Sequence, residues 1–245
     1  MWRWTMTIEQ LLTDLKMKGS LEALSSLKEI QDRDQFTTEL LRAELKEKET
    51  RGFKRRLAQA KFPTDKEWTD IDPTLNPKID FSKIKQFGES EFIAQRRNLC
   101  LMGQQGTGKT HSLVALGRQL CKRGISVRFY TACSLVTALE EAKANHCLSK
   151  TMQSLLKPQL LIIDELGFIP FSDKGARLLF DVFASRYEKG SIALSTNLLF
   201  NKWTEIFGST ELTGALLDRF SHRCLIFNYI GDSVRLMQAK KQSFS

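Results

Sequence analysis

The pattern Gly-x-x-x-x-Gly-Lys-Thr at residues 103–110 constrains this chain more than any other feature. A short apolar run at residues 99–102 precedes it, and residues 110–122 have the composition of a helix. A buried strand, a glycine-rich loop and a helix in this order are typical of phosphate-binding loops. An ordinary glycine-rich turn between two core elements is the weaker alternative. The sequence therefore predicts a site for a nucleoside triphosphate.

Each residue type in this loop has a separate role. Glycines allow the backbone N–H groups to point at the β- and γ-phosphates, Lys109 supplies a mobile cation, and Thr110 supplies a hydroxyl for Mg²⁺. The residues predicted to bind the nucleotide are Gly103, Gln104, Gln105, Gly106, Thr107, Gly108, Lys109, Thr110 and His111.

A second apolar run, residues 160–163, ends in Asp164 and Glu165. Asp164 can hold the Mg²⁺ shell, and Glu165 can orient or deprotonate the attacking water. An apolar strand that ends in two acids is usually structural when it stands alone. Here it begins far enough beyond Lys109 to leave room for a helix, a strand and two further helices, and this spacing indicates nucleotide hydrolysis.

Three polar residues farther along the chain are candidates for the same site. Asn197 follows a predicted strand at residues 192–196, where it either faces the γ-phosphate or caps a helix over residues 198–203. Arg219 and Arg235 are ordinary surface residues in a basic protein unless one reaches a phosphate from a neighbouring subunit. The residues alone leave both alternatives open.

Helices and strands alternate after the phosphate loop, with predicted strands at residues 126–131, 160–164 and 192–196 and predicted helices at 135–145, 150–156 and 174–188. This alternation predicts a parallel sheet covered on both faces, with its ligand at the carboxyl ends of the strands. Before the loop, residues 7–60 read as three helices, with Gly19 and Ser20 ending the first and capping the second, and the third running over about 37–57. Residues 62–95, which contain three prolines, read as a linker.

The chain has a net charge of +9 and a pI near 9.4, which favours an anionic partner. A basic strip lies near the end of the third helix, at Arg51, Lys54, Arg55, Arg56 and Lys61. Nucleic-acid contact is slightly favoured over a solvated helix end that the helix dipole stabilises. Five scattered cysteines indicate reduced thiols in a cytosol, and the sequence has no apolar run that predicts export or a membrane span. Met1 and Met6 are both possible starts.

These residues together resemble the AAA+ ATPases of the IstB/DnaC-like group, and most closely the IstB-type proteins that assist the transposition of insertion sequences. The similarity covers nearly the whole chain. It is carried by residues 103–111, 161–168, 195–197 and 215–219 in the core, and by Arg55-Arg56-Leu57 with Ala60-Lys61-Phe62-Pro63 outside it. The match outside the core separates the chain from helicase loaders.

The resemblance implies an α/β fold: an AAA+ P-loop NTPase with a parallel sheet flanked by helices, a small all-α amino-terminal domain and a much reduced C-terminal lid. The implied divisions are a helical DNA- or partner-binding domain at 1–61, a linker at 62–97 and the ATPase domain at 98–245. ATP and Mg²⁺ are the implied cofactors, with Thr110 and Asp164 on the metal.

The resemblance also assigns roles to single residues. Asp164 and Glu165 correspond to the Walker B pair, Asn197 to sensor 1, Arg219 to the arginine finger and Arg235 to sensor 2. An inserted helical region at about 135–156 would face DNA through Lys143 and Lys150.

The function implied is an ATP-dependent regulator of transposition that assembles on double-stranded target DNA and recruits or activates its cognate integrase-type transposase. ATP would lie between subunits of a higher-order homo-oligomer. We expect a bacterial cytoplasmic protein that joins the nucleoid when on DNA and has no membrane partner. A DnaC-like helicase loader is the alternative, and a small-molecule P-loop kinase leaves Glu165, Asn197 and Arg219 without a joint role.

Overall fold

The computed structural model describes residues 6–89, 91–234 and 237. The chain divides into two compact units, Met1–Arg55 and Arg56–Ser245. The first unit is helical. Its helices are α1 (Ile8–Asp14), α2 (Lys18–Ala23) and α3 (Arg33–Ala60), the last of which continues into the second unit.

The amino-terminal unit has a small apolar core of Leu12, Leu24 and Leu40. Helix α1 begins with a capping box, in which the Gln10 amide donates to Thr7 Oγ1 and the Thr7 amide donates to Gln10 Oε1. The first predicted helix and the third are therefore present, and α3 extends beyond both of its predicted ends.

The start of α2 differs from the prediction, because Gly19 and Ser20 lie inside the helix instead of ending one helix and capping the next. The buried carboxylate of Glu44, on α3, accepts hydrogen bonds from the Gly19 amide at 2.8 Å and the Ser20 amide at 3.3 Å. A distant acid thus satisfies the free N–H groups of the first turn, a role that the local sequence does not reveal. Glycine is required here since a Cβ at residue 19 would lie 2.5 Å from the Ala43 carbonyl oxygen.

The second unit contains a five-stranded sheet in the order β2-β3-β4-β1-β5, with every neighbouring pair parallel. The strands are β1 (Asn98–Gly103), β2 (Val127–Thr131), β3 (Leu160–Leu166), β4 (Ser191–Thr196) and β5 (Cys224–Tyr229). The middle residues of β1, β3 and β4 are buried, as expected for parallel strands covered on both faces. The predicted parallel α/β sheet is confirmed.

Strand β5 was not among the predicted strands. It pairs with β1 at the edge of the sheet, and its residues range from the exposed Ile226 and Asn228 to the buried Tyr229. The apolar run at residues 225–227 is the signal that could have identified it.

The helices predicted at residues 110–122, 135–145, 150–156 and 174–188 are present with ends that shift by a few residues, and further helices lie at residues 81–89, 204–207 and 210–221. They are α4 (Phe81–Glu89), α5 (Lys109–Lys122), α6 (Ala132–Ala144), α7 (Leu148–Leu156), α8 (Asp173–Arg186), α9 (Thr204–Phe207) and α10 (Thr210–Ser221). In the described part of the chain, no helix combines the length and apolarity needed to cross a membrane.

The segment between α3 and β1, predicted as a linker, packs against the sheet unit. It contains two 3₁₀ turns, Trp68–Asp70 and Pro73–Leu75, and helix α4. Two glycines allow this segment to lie close to α5. A Cβ at Gly117 of α5 would lie 2.6 Å from the Phe62 ring, and a Cβ at Gly88 of α4 would lie 2.6 Å from Leu116 of α5. The predicted domain boundaries at residues 61 and 97 remain predictions.

Candidate nucleotide site

The glycine-rich loop joins the end of β1 to the start of α5. Gly106 and Gly108 have left-handed backbones, with φ of 76° and 99°, and α5 begins at the next residue, Lys109. Residues with a Cβ rarely adopt these values, so the glycines are needed to shape the loop. The loop therefore leads directly into the N-terminus of a helix, where free N–H groups favour an anion.

Two side chains form hydrogen bonds with the backbone of this loop. Lys109 Nζ donates to the carbonyl oxygens of Gly103 and Gln104, both at 2.6 Å, and Thr107 Oγ1 donates to the Gln104 carbonyl at 2.8 Å. The Lys109 ammonium thus lies close to the loop that would surround the phosphates.

The loop borders a cleft of about 640 Å³, a volume within the usual range for small-molecule sites. From the predicted set, Gln105 to His111, Glu165 and Asn197 line this cleft. Residues that were predicted from three separate stretches of sequence therefore meet at the carboxyl edge of the sheet. Gly103 and Gln104 lie just below, as the carbonyl partners of Lys109.

A further part of the cleft lining comes from the segment that was predicted to be only a linker. Its apolar members are Ile71, Leu75 and Phe81, and its polar members are Thr64, Lys66, Asp70, Asp72 and Asn76. We call residues 64–81 the outer wall. The sequence signal for it was the cluster of apolar residues between the prolines.

Side-chain hydrogen bonds connect the outer wall to α5. His111 Nε2 lies 3.0 Å from the Glu67 carbonyl oxygen, Arg118 donates to the Glu67 carboxylate at 3.0 Å, and Trp68 Nε1 donates to Gln119 Oε1 at 2.7 Å. His111 therefore lines the cleft as predicted but directs a ring nitrogen at the outer wall.

Asp164 and Glu165 lie at an irregularity in β3. The pairing with β4 shifts register between Ile163 and Leu166, and Glu165 has a left-handed backbone with φ of 60°. This shift leaves Asp164 buried while Glu165 is exposed at the cleft. A non-glycine residue in this conformation stores backbone strain, a feature that clusters at functional sites.

Ser195 on β4 connects the two acids. Its hydroxyl donates a hydrogen bond to Asp164 Oδ1 and accepts one from the Glu165 amide at 3.0 Å. Ser195 had no predicted role of its own, because only the pairing of β3 with β4 brings it beside Asp164.

Asn197 follows β4 and lines the cleft. The predicted helix over residues 198–203 is not formed, so Asn197 caps no helix; instead Thr196 Oγ1 accepts the Leu198 amide at 3.1 Å and closes a turn after β4. The 3₁₀ turn beyond it, Phe200–Lys202, starts after Leu199 and has no side-chain cap.

Arg219 lies in α10, away from the cleft wall, in a small pocket that Arg96 and Arg223 also line. Its Nη1 donates to the Ala215 carbonyl at 2.8 Å, and its guanidinium carbon lies 5.6 Å from the centre of the Phe180 ring. The other predicted arginine, Arg235, lies outside the described residues.

The predicted DNA contacts have different surroundings. Lys54, Arg55, Lys143 and Lys150 are exposed. Arg51 forms ion pairs with Glu44 at 3.4 Å and Glu47 at 3.3 Å, and Arg56 Nε donates to the Cys121 carbonyl at the end of α5, at 2.7 Å.

Most of the chain, including the loop, the acidic pair and the outer wall, matches one known protein family. Residues 10–243 match the model of the IstB-like ATP binding protein family. This chain belongs to that family. It is an IstB-like ATP-binding protein.

Relatives of this IstB-like chain are named for insertion sequences and ATP binding. One, from insertion sequence IS5376 of Geobacillus stearothermophilus, is 36% identical over 208 residues, which are 85% of this chain and 83% of the relative. Another, from IS21 of Pseudomonas aeruginosa, is 35% identical over 240 residues, which are 96% of this chain and 90% of the relative.

Solved structures share the AAA+ fold of the IstB-like chain at lower identity. DnaI matches with a TM-score of 0.54 and 20% identity, covering 69% of this chain and 89% of its own. AMPPCP-bound DnaA from Aquifex aeolicus matches with a TM-score of 0.58 and 20% identity, covering 74% of this chain and 54% of its own. These matches confirm the predicted fold class.

Proposed function

We propose that the chain is an ATPase that assembles on double-stranded DNA and recruits or activates the integrase-type transposase of its insertion sequence. One observation carries the hydrolytic part: the phosphate loop and Glu165 line one cleft, and the buried Asp164 accepts a hydrogen bond from Ser195 in the wall of the same cleft. The names of the relatives supply the link to insertion sequences.

Thr110 in the cleft lining and Asp164, bonded to Ser195 of that lining, form a donor set that suits Mg²⁺. A buried carboxylate on Asp164 and the hydroxyl of Thr110, the second residue of α5, are hard oxygen ligands of the kind that this ion prefers. When bound, Mg²⁺ would neutralise charge on the phosphate oxygens. Lys109 then binds the phosphates, Glu165 orients and deprotonates water, and Asn197 holds the water or the γ-phosphate.

Arg219 acts on the cleft of a neighbouring subunit. Its pocket in α10 is separate from the cleft of its own chain. An arginine supplied by a second subunit would stabilise the charge that develops on the γ-phosphate, and it would make hydrolysis depend on assembly.

Exposed cations supply the DNA contacts. Lys54 and Arg55 lie on α3. Lys143 lies in the last turn of α6, and Lys150 lies in the first turn of α7. Arg51 and Arg56 are weaker candidates, because ion pairs or a backbone carbonyl already engage them.

A mixing experiment tests the shared site. Lys109→Ala and Arg219→Ala variants should each lose ATPase activity on double-stranded DNA, and an equimolar mixture should recover a part of it, because some interfaces then join an intact loop to an intact arginine. Arg177→Ala, at an exposed position of α8, is the matched control and should retain full activity. An Arg219→Ala variant that hydrolyses ATP and oligomerises normally would refute the shared site.

Transposition and helicase loading require different nucleic acids and different protein partners, so binding measurements distinguish the two functions. In the presence of ATP, we expect tighter binding to double-stranded than to single-stranded DNA of equal length, and ATP-dependent co-purification with the transposase. A clear preference for single strands would instead favour the helicase-loader alternative.

A further inference from the structure

Asn76 is a buried residue in the lining of the cleft. It follows the 3₁₀ turn Pro73–Leu75 of the outer wall and is 3% exposed, which is unusual for an amide side chain outside regular structure. Its Nδ2 donates to the Thr107 carbonyl of the phosphate loop at 3.3 Å. One buried amide therefore connects the outer wall with the loop.

The other end of the same amide contacts the chain that follows β5. A Cβ built on Gly231 would lie 2.2 Å from Asn76 Oδ1 and 2.9 Å from its Cγ, but 3.7 Å from its Cβ. The backbone of Gly231 is not left-handed, so the amide group of Asn76 is the obstacle that the structure shows to a larger residue there.

The segment after β5 also touches the phosphate loop directly. The Val234 amide donates to the Gly106 carbonyl at 3.0 Å, and a Cβ at Gly106 would lie 2.1 Å from Ser233 Oγ. The outer wall meets the end of β5 as well, where the Phe81 and Tyr229 rings lie 6.0 Å apart, edge to face. Three segments far apart in sequence thus meet at residues 106–107.

We propose that Asn76 is a positioning residue of the nucleotide site, which joins the outer wall to the phosphate loop and sets the place of residues 231–234 against it. This inference rests on ATP occupying the cleft, with its phosphates at the loop and its base at the outer wall. A ligand that spans both parts gains affinity when they are held at a fixed separation, because less ordering is needed on binding. A ligand that touches only the loop gains little.

The test is a double-mutant cycle between Asn76 and Gly231, with affinity for a fluorescent ATP analogue as the readout. Asn76→Ala removes one neutral hydrogen bond and should weaken ATP binding by about fivefold. Gly231→Ala should weaken it by about tenfold or more, because its methyl group displaces the Asn76 amide. In the Asn76→Ala background the same methyl meets only a Cβ, so Gly231→Ala should then cost less than about twofold.

Inorganic tripolyphosphate separates positioning from simple support of the loop. Asn76→Ala should leave the affinity for tripolyphosphate within about twofold while the affinity for ATP falls. Equal losses for both ligands, or additive effects of the two substitutions, would overturn the proposal. Thermal unfolding without ligand confirms that each variant folds.

Lys109→Ala distinguishes failure of this inference from failure of the site itself. If Lys109→Ala binds ATP like the unmodified chain, the cleft is not the nucleotide site. If Lys109→Ala loses ATP while Asn76→Ala and Gly231→Ala both bind normally, the positioning role alone is refuted.

Discussion

Ser195 Oγ donates a hydrogen bond to Asp164 Oδ1 across the β3–β4 pair. The same oxygen accepts the Glu165 amide at 3.0 Å. One small hydroxyl therefore satisfies the buried acid and fixes the backbone of the exposed acid beside it. The register shift between Ile163 and Leu166 makes this double contact possible, because it turns Glu165 out of the ladder.

We expect Ser195→Ala to lower the rate of ATP hydrolysis by about tenfold, equivalent to about 1.4 kcal/mol in the barrier, with ATP affinity changed by less than twofold. The substitution releases Asp164 and Glu165 from their common partner but leaves the phosphate loop intact. Steady-state turnover and ATP titration measure the two effects. Ser191→Ala is the matched control, because Ser191 is also buried on β4 and its hydroxyl has no hydrogen-bond partner. A Ser195→Ala variant with unchanged turnover would contradict this account.

Glu165→Gln should abolish hydrolysis and preserve ATP binding. The amide keeps the size of the side chain but cannot take a proton from water, so turnover should fall by about a hundredfold or more. Because Glu165 is exposed, the melting temperature should stay within about 1 °C. Turnover, ATP titration and thermal unfolding on one preparation measure all three. Retained turnover would remove Glu165 from the catalytic role.

The predictable parts of the site are those whose residue types and spacing lie within a short stretch of sequence. Residues 103–110 and the acids Asp164 and Glu165 of β3 carry their spacing and residue types within a few positions. The structure brings the loop and Glu165 to one cleft, with Asp164 bonded to Ser195 in its wall. The parallel sheet was likewise predictable from the alternation of apolar runs and helices.

The parts that could not be predicted depend on contacts between distant segments. Ser195 gains its role from strand pairing. The Glu44 carboxylate accepts a hydrogen bond from the Gly19 amide of α2, although the two residues are 25 positions apart in the sequence. The outer wall has no periodic pattern, because 3₁₀ turns and single hydrogen bonds hold it instead of an amphipathic helix. Sequence periodicity carries no information about such contacts.

Arg186 should contribute strongly to stability. It is 1% exposed and donates to four carbonyl groups at the ends of α7, β3 and β4, those of Leu155, Pro158, Gln159 and Ser191. Burial lowers the pKa of Arg186 to about 10, so the guanidinium stays charged at neutral pH.

We expect Arg186→Lys to reduce the free energy of unfolding by about 2–4 kcal/mol, since an ammonium cannot reproduce the planar set of donors. Urea denaturation at pH 7.5 measures the loss. Arg177→Lys, on the exposed side of the same helix, should change it by less than about 0.5 kcal/mol. Equal stability of the two variants would show that the carbonyl contacts contribute little.

The five cysteines should differ in reactivity. Burial raises the pKa of Cys121 to about 11 and that of Cys224 to about 12, and burial also raises the pKa of Cys100. At pH 8 these thiols carry very little thiolate, whereas Cys147 is exposed. With a disulfide reagent at pH 8, the fastest phase should belong to Cys147. It should vanish in Cys147→Ser and persist in Cys121→Ser, and the reverse pattern would contradict the burial of Cys121.

The double variant Lys54→Ala/Arg55→Ala tests the basic strip on α3. If both side chains contact phosphates, the slope of log affinity against log salt should decrease by nearly two, and affinity should fall for all duplex sequences alike. Fluorescence anisotropy with a labelled duplex, between 50 and 200 mM salt, would measure this, with these concentrations spanning about the range over which phosphate contacts weaken. Lys46→Ala is the matched control, because Lys46 is exposed on the same helix among acidic residues. An equal change in both proteins would mean that the strip acts only through net charge, and the DNA contact would then fall to Lys143 and Lys150.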